Sequence, residues 1–335
     1  MFREAAEAPG VVRAQLVRNH DSADILGREL RALGPRAVVT CARGSSDHAA
    51  TFAKYLLETR LGILTASAAP SISSVYEARQ DLRDCAFVAI SQSGRSPDIL
   101  ATARSAATAG AFVVALVNDE ASPLAQEAAR VLPLAAGEET SVAATKSYLA
   151  SLSALLHLAA AWSEDQGLAR ALDALPDQMA RAWQLDWSAA GALLERAEHL
   201  YVIARGVGLG VAQEAALKCK ETCGLHAESF SGAEVRHGPQ ALLGREFPAL
   251  LFAQDDETRP GIEALGRELV ERGVQVAIAG GRVAGAIELP TIQAHPGAAP
   301  LLIAQSFYRL ANAVAIARGM DPDRPPHLHK VTRTH

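Results

Sequence analysis

Ala86-Phe87-Val88-Ala89-Ile90-Ser91-Gln92-Ser93-Gly94-Arg95-Ser96-Pro97-Asp98-Ile99-Leu100 is the stretch whose reading decides the fold. The unbroken apolar run 86–90 reads as a strand buried on both faces, as in a parallel sheet. Residues from Ile99 to Arg104 start a helix. Between them lies a loop of hydroxyls around a glycine. Strand, hydroxyl loop and helix N-terminus together form a device for an anion: backbone N–H groups and the positive helix end face it, and Ser hydroxyls donate to it. The expected ligand therefore carries a phosphate. The loop lacks the Gly-x-x-x-x-Gly-Lys-Ser/Thr pattern, so a nucleoside triphosphate is not the expected form of it.

Outward from this stretch the chain echoes itself. Ala37-Val38-Val39-Thr40-Cys41-Ala42-Arg43-Gly44 resembles Leu200-Tyr201-Val202-Ile203-Ala204-Arg205-Gly206. Val88-Ala89-Ile90-Ser91-Gln92 resembles Leu250-Leu251-Phe252-Ala253-Gln254, and Gly110–Leu116 parallels Gly273–Ile278. A shared offset of roughly 162 residues marks two copies of one α/β unit. Each copy is expected to be a parallel sheet with helices on both faces, its ligands beyond the carboxyl ends of the strands. The expected boundaries are a helical lead-in over 1–35 with Pro9 near a helix start, domains over 36–162 and 188–320, and a helical linker over 163–187. An extended, proline-rich tail over 321–335 completes the chain. The copies differ where a ligand would sit. Copy one has Ser91-Gln92-Ser93-Gly94; copy two has Ala253-Gln254-Asp255-Asp256, whose carboxylates would repel a phosphate.

Composition narrows the class. A formal charge of −5 without a Lys/Arg run argues against nucleic acid or an anionic membrane as partner. No apolar segment is long and uninterrupted enough for a membrane span, and the charged N-terminus lacks a signal-peptide core. Cys41, Cys85, Cys219 and Cys223 form neither a disulfide framework nor a zinc set, which suits reduced thiols in a cytoplasmic protein.

Two further hydroxyl loops flank the first: Arg43-Gly44-Ser45-Ser46-Asp47, and Glu138-Glu139-Thr140-Ser141-Val142-Ala143-Ala144-Thr145-Lys146. Any one of them is equally explained by N-capping. Three within one expected unit favour a polyhydroxylated phosphate such as a sugar phosphate. Copy two carries a helix with Glu214 and Lys218 at i,i+4 and Lys218 and Glu221 at i,i+3. A Glu at a helix end beside a crevice can move protons between adjacent carbons, although spacing alone favours a solvated surface carboxylate. His237, before Gly238-Pro239, lies in a loop, where an imidazole suits either protonation of a sugar oxygen or a bond to backbone. His327 and His329 come with no accompanying carboxylate or thiol set, so a metal is the weaker reading.

Taken in order, Ser91-Gln92-Ser93-Gly94, Val142-Ala143-x-Thr145-Lys146, Glu214-x-Ala216-Leu217-Lys218-x-Lys220-Glu221, His226-Ala227-Glu228 and Glu234-x-x-His237-Gly238-Pro239 resemble the SIS (sugar isomerase) family of phosphosugar-binding domains, in tandem. The similarity extends over essentially the whole chain to the isomerase half of glucosamine-6-phosphate synthases. It implies that Gly44, Ser45, Ser46, Ser91, Gln92, Ser93 and Ser96 hold the phosphate and sugar hydroxyls, with Val142, Ala143 and Thr145 nearby. It implies further that Glu221 is the base carrying a proton between C1 and C2. His237 would open the ring in the site of a neighbouring subunit, Lys218 would be a site lysine, and Lys330 the tail lysine contacting the sugar near C2. A homodimer follows, with no metal or organic cofactor.

Departures from the synthase pattern sharpen the expectation. The chain starts at the isomerase half, so no ammonia is expected from glutamine. The first loop reads Ala42-Arg43-Gly44-Ser45-Ser46-Asp47-His48, not the synthase-like Cys-Gly-Thr-Ser, and the tail has His329 before Lys330. The loop 91–100 and the segment 221–228 look more like the family's deaminases. The resemblance thus implies a glucosamine-6-phosphate deaminase. Its rivals are an aldose–ketose isomerase, a fructosamine-phosphate deglycase, ammonia-dependent synthesis in the reverse direction, and a non-catalytic sugar-phosphate sensor.

Overall fold

A computed structural model describes residues 1–330. The fold is α/β, with two five-stranded parallel sheets flanked by helices. Along the chain run α1 (Phe2–Leu33), β1 (Ala37–Cys41), α2 (Ser45–Leu61), β2 (Thr65–Ser67), α3 (Ser71–Ser74), β3 (Cys85–Ser91), α4 (Pro97–Thr108), β4 (Phe112–Val117), α5 (Pro123–Glu127), β5 (Arg130–Pro133), α6 (Lys146–Ser163) and α7 (Gln166–Trp183). Then follow α8 (Ser188–Arg196), β6 (His199–Ala204), α9 (Leu209–Cys223), β7 (His226–Ser231), β8 (Ala249–Phe252), α10 (Arg259–Glu271), β9 (Val276–Ala279), β10 (Ile287–Leu289) and α11 (Ala299–Ala317).

The first sheet has the order β2-β1-β3-β4-β5, and the second, read from its opposite edge, β7-β6-β8-β9-β10. These are the same topology. In each, the second strand lies on one side of the first and the third on the other, which creates a switch point between first and third strands. The strand read from the apolar run is β3, and all seven of its residues are buried, as a central parallel strand requires. On one face of the first sheet Phe87, Ala89, Val113 and Ala115 pack with Ile99, Ala103 and Ala106 of α4. The second sheet repeats this with Ile203, Leu251 and Ile278 against Ile262, Leu265 and Leu269 of α10. Helix α6 is buried almost all round, so it carries no polar face, and it packs on α2.

The chain divides into two compact units that do not follow linear order. The first-sheet unit comprises Gly10–Glu139, Lys146–Asp173 and the described tail residues His329 and Lys330. The second-sheet unit comprises Met1–Pro9, Thr140–Thr145 and Ala174–Leu328. The lead-in and linker expected from sequence are thus α1 and α7, each contributing to both units.

Pro9 is not near the start of its helix as expected but in its third turn, within α1. A proline there withholds the N–H that would bond the Ala5 carbonyl. That carbonyl accepts instead from Gln305 Nε2 at 2.8 Å, so the break in the helix ladder is closed by a buried side chain of α11.

Candidate active site

In the first-sheet unit the loops after β1 and β3 follow neighbouring, paired strands, so they share the carboxyl edge at the switch point. Gly44, with φ 55°, is the N-cap of α2 and supplies no side-chain cap; Ser45 and Ser46 open that helix, half-buried. After β3, Ser91 Oγ accepts from the Gly94 N–H at 3.1 Å and Ser93 Oγ from the Arg95 N–H at 3.3 Å. Gly94 sits at φ 60°, and a Cβ there would come within 2.6 Å of Ser122 Cβ, so the tight turn admits only glycine. Helix α4 begins two residues before the expected Ile99, because Pro97 is pre-organised for a first helical position. Ser96 is its N-cap residue yet makes no side-chain capping bond. Capping therefore does not explain the Ser96 hydroxyl, or the choice of residue at Gly44. True capping occurs at Ser122, which accepts from Ala125 N.

Sequence reasoning missed the tie between these loops. Asp98, buried in the first turn of α4, accepts from Arg43 Nε and Nη2, each at 2.9 Å. Burial, and then the neighbouring Asp98 carboxylate, push the Cys41 thiol up to about 12, so that cysteine is chemically quiet.

Lys330 also lies in this unit. Its Nζ is 3.0 Å from Glu139 Oε2, the atom that accepts from Gln92 Nε2 at 3.2 Å. Two expected site residues therefore meet on a carboxylate that the sequence did not single out.

The third hydroxyl loop does not belong to the first-sheet unit as expected. Thr140–Thr145 packs with the second-sheet unit, because Glu4 Oε1 accepts the Thr140 and Ser141 N–H groups at 2.6 and 3.1 Å. The Val142 N–H in turn donates to the Asp323 carbonyl at 3.3 Å. Burial opposes ionisation of Glu4, but the Ser141 hydroxyl and the Ser141 and Thr140 amides outweigh it and lower its pKa to about 2. Ala143 and Thr145 are buried in this segment and Val142 is half-buried.

Helix α9 carries an ionic cluster of the second-sheet unit, Glu214, Lys218 and Glu221. Lys218 is fully buried, and its ammonium lies 3.4 Å from Glu214 Oε1 and in direct contact with Glu221 Oε2. Tyr308 Oη of α11 donates to Glu214 Oε1 at 3.1 Å. Burial works against the ammonium, but the two carboxylates overcome it and hold the Lys218 pKa above the ordinary lysine value. Glu214 is as buried as the lysine, whereas the Glu221 side chain keeps 20% of its surface exposed. Glu221 is thus not the solvated surface carboxylate that spacing alone favoured. It is anchored on one side by a buried cation and open on the other, an arrangement that fits a base able to take and return a proton. His237 ends a short 3-10 turn, Glu234–His237, with its side chain exposed.

At the matching switch point of the second sheet the chain supplies its own anion. Asp256 Oδ2 accepts from Gln254 Nε2 at 2.8 Å, and Oδ1 from Thr258 N and Oγ1 at 2.8 and 2.6 Å. Asp255 is paired with Arg259 at 3.0 Å. Gln254 occupies the position of Gln92, but its amide serves a carboxylate of the same loop.

The SIS domain family is matched over residues 34–161 and 193–280. The chain belongs to the SIS domain family. Among curated relatives, the glutamine–fructose-6-phosphate aminotransferase [isomerizing] of Legionella pneumophila (strain Lens) is 32% identical over 98% of this chain and 57% of its own length. That of Aeropyrum pernix is 33% identical over 86% of this chain and 49% of its own. The chain therefore spans about half the length of these relatives. Among solved structures, a protein of Silicibacter pomeroyi DSS-3, described as a "putative phosphosugar isomerase", shares 42% identity at TM-score 0.93, covering 96% of this chain and 99% of that one. The C-terminal domain of glucosamine-fructose-6-phosphate aminotransferase from Francisella tularensis shares 25% at TM-score 0.87, covering 97% and 98%. The glucosamine-6-phosphate deaminase of Thermotoga maritima, 22% identical at TM-score 0.72 with coverage of 97% and 100%, shares the fold. Among the described residues no helix is long and apolar enough to cross a membrane, and no group of three or more His, Cys, Asp or Glu side chains is arranged for a metal.

Proposed function

We propose that this SIS-family protein is a phosphosugar aldose–ketose enzyme that acts as a glucosamine-6-phosphate deaminase. The observation that carries the reading is the Glu214–Lys218–Glu221 group, in which one carboxylate of a buried ionic array remains open to a ligand. The hydroxyls and backbone amides of the loops at Gly44–Ser46 and Ser91–Ser96 take the phosphate. His237, acting from a second copy of the chain in a homodimer, assists opening of the sugar ring; its exposure is what such a role needs. Glu221 removes the C2 proton of the open aldose, the aldehyde oxygen gains a proton, and an enaminol forms. Reprotonation at C1 with loss of an N–H proton gives the ketose-level imine. Water adds at C2 and ammonia leaves, yielding fructose 6-phosphate. Anchoring the phosphate sets C1 and C2 beside a single carboxylate, which removes much of the orientational barrier.

The test is an enzyme-coupled ammonia assay on the purified protein with glucosamine 6-phosphate, its N-acetylated form and a fructosamine phosphate, beside an isomerisation assay with glucose 6-phosphate. Ammonia from glucosamine 6-phosphate alone supports the proposal. Ammonia only from the fructosamine phosphate, or isomerisation without ammonia, replaces it with a deglycase or a plain isomerase. A thermal shift with glucosamine 6-phosphate and no product from any of the four replaces it with a sensor.

A further inference from the structure

We propose that Glu139 is the positioning residue that seats the tail lysine, Lys330, against the phosphate loop; the inference rests on the functional reading above for what Lys330 does, but not for where it sits. Two acidic residues stand side by side in the sequence, and the fold treats them oppositely: Glu138 is exposed, whereas Glu139 is buried. A buried carboxylate must be paired, and this one is met from three directions within one unit. Oε2 accepts from Ser147 Oγ at 2.6 Å, from Lys330 Nζ at 3.0 Å and from Gln92 Nε2 at 3.2 Å, while Oε1 accepts from Ser147 N at 3.2 Å. The donors come from the first turn of α6, from the tail and from the loop after β3. Lys330 stands 191 positions from Glu139 along the chain. Its long, flexible stem carries a point charge with many accessible rotamers, so a fixed acceptor is what gives the ammonium a defined place. Sharing one oxygen atom with Gln92 places that ammonium beside the loop expected to hold the phosphate. Glu139 does not itself touch the sugar in this scheme; it acts through Lys330.

A simpler role, capping α6 through Ser147, makes a different prediction and can be separated from it. In Glu139→Gln the amide oxygen still accepts from Ser147 N, but the charge that holds Lys330 is gone. The first measurement needs no substrate: acetylation rates of individual lysines in the folded protein, read by mass spectrometry, with exposed Lys54 and Lys220 as internal references. The expected result is faster labelling of Lys330 in E139Q at an unchanged melting temperature, restored toward the native rate in Glu139→Asp. Native-like labelling in E139Q overturns the proposal. The second is a cycle of E139Q, Lys330→Met and the double variant in the ammonia assay. Each single variant is expected to lose about 10²-fold in kcat/KM, mostly in kcat, and the double variant no more than either. Losses that multiply overturn the proposal. Should the native protein release no ammonia, the deaminase reading fails while the labelling result still decides the seating of Lys330. Should E139Q melt early, Ser147→Ala is labelled as well: it removes the capping partner and spares the charge, so Lys330 is expected to label at the native rate, and labelling as fast as in E139Q overturns the proposal.

Discussion

The Lys218 ammonium lies 3.4 Å from Glu214 Oε1 with both side chains shut off from solvent, and Tyr308 Oη donates to the same carboxylate oxygen. Breaking such a pair on one side is far worse than replacing both partners, because it strands a charge in a poorly polarisable interior. Lys218→Met is therefore expected to lower stability by about 3–5 kcal/mol, and the double variant with Glu214→Gln to recover part of that loss. Urea denaturation of the two variants checks the order.

Glu221 should separate chemistry from binding. Glu221→Gln keeps the side chain's shape and removes its basicity. Turnover is expected to fall by about 10²–10⁴-fold, with affinity for glucosamine 6-phosphate, measured calorimetrically, nearly unchanged. Full turnover in a folded E221Q protein would refute the assignment.

Gly94 should be intolerant of even one methyl group. Its φ of 60° is costly for any L side chain, and the new Cβ would press on Ser122. Gly94→Ala is expected to destabilise by at least about 2 kcal/mol and to raise KM by displacing the Ser91 and Ser93 hydroxyls. Thermal denaturation and steady-state kinetics give the two readouts.

Glu4 should contribute a pH-dependent share of stability. Its carboxyl is held near 2 in the fold, below the unfolded value of about 4.3. A depressed carboxylate stabilises fully above the unfolded value and loses its contribution as pH falls toward the folded one. The stability gap between the native protein and Glu4→Gln is thus expected to be constant above about pH 5 and to close between there and about pH 2. Urea titrations at stepped pH values measure it.

Much of this fold was legible because it is written in period and repetition. The apolar run at 86–90 read as a doubly buried strand, and the echo between the copies anticipated two sheets of like kind. The loops after β1 and β3 were legible for the same reason: they follow strands. What escaped was long-range polar pairing, which leaves no local trace. Nothing near Thr140 announces that Glu4 will claim its N–H. Nothing distinguishes Glu138 from Glu139 until one of them is buried. Pro9 misled because the carbonyl it strands is satisfied by Gln305, almost three hundred positions downstream, a compensation invisible to any window of sequence.

Asp256 has a quantitative consequence. Two sheets of identical strand order would ordinarily suggest two ligands per polypeptide, yet in the second the donors of Gln254 and Thr258 are already engaged by a carboxylate of their own loop. Titration with a phosphate ester should accordingly saturate at one equivalent per chain.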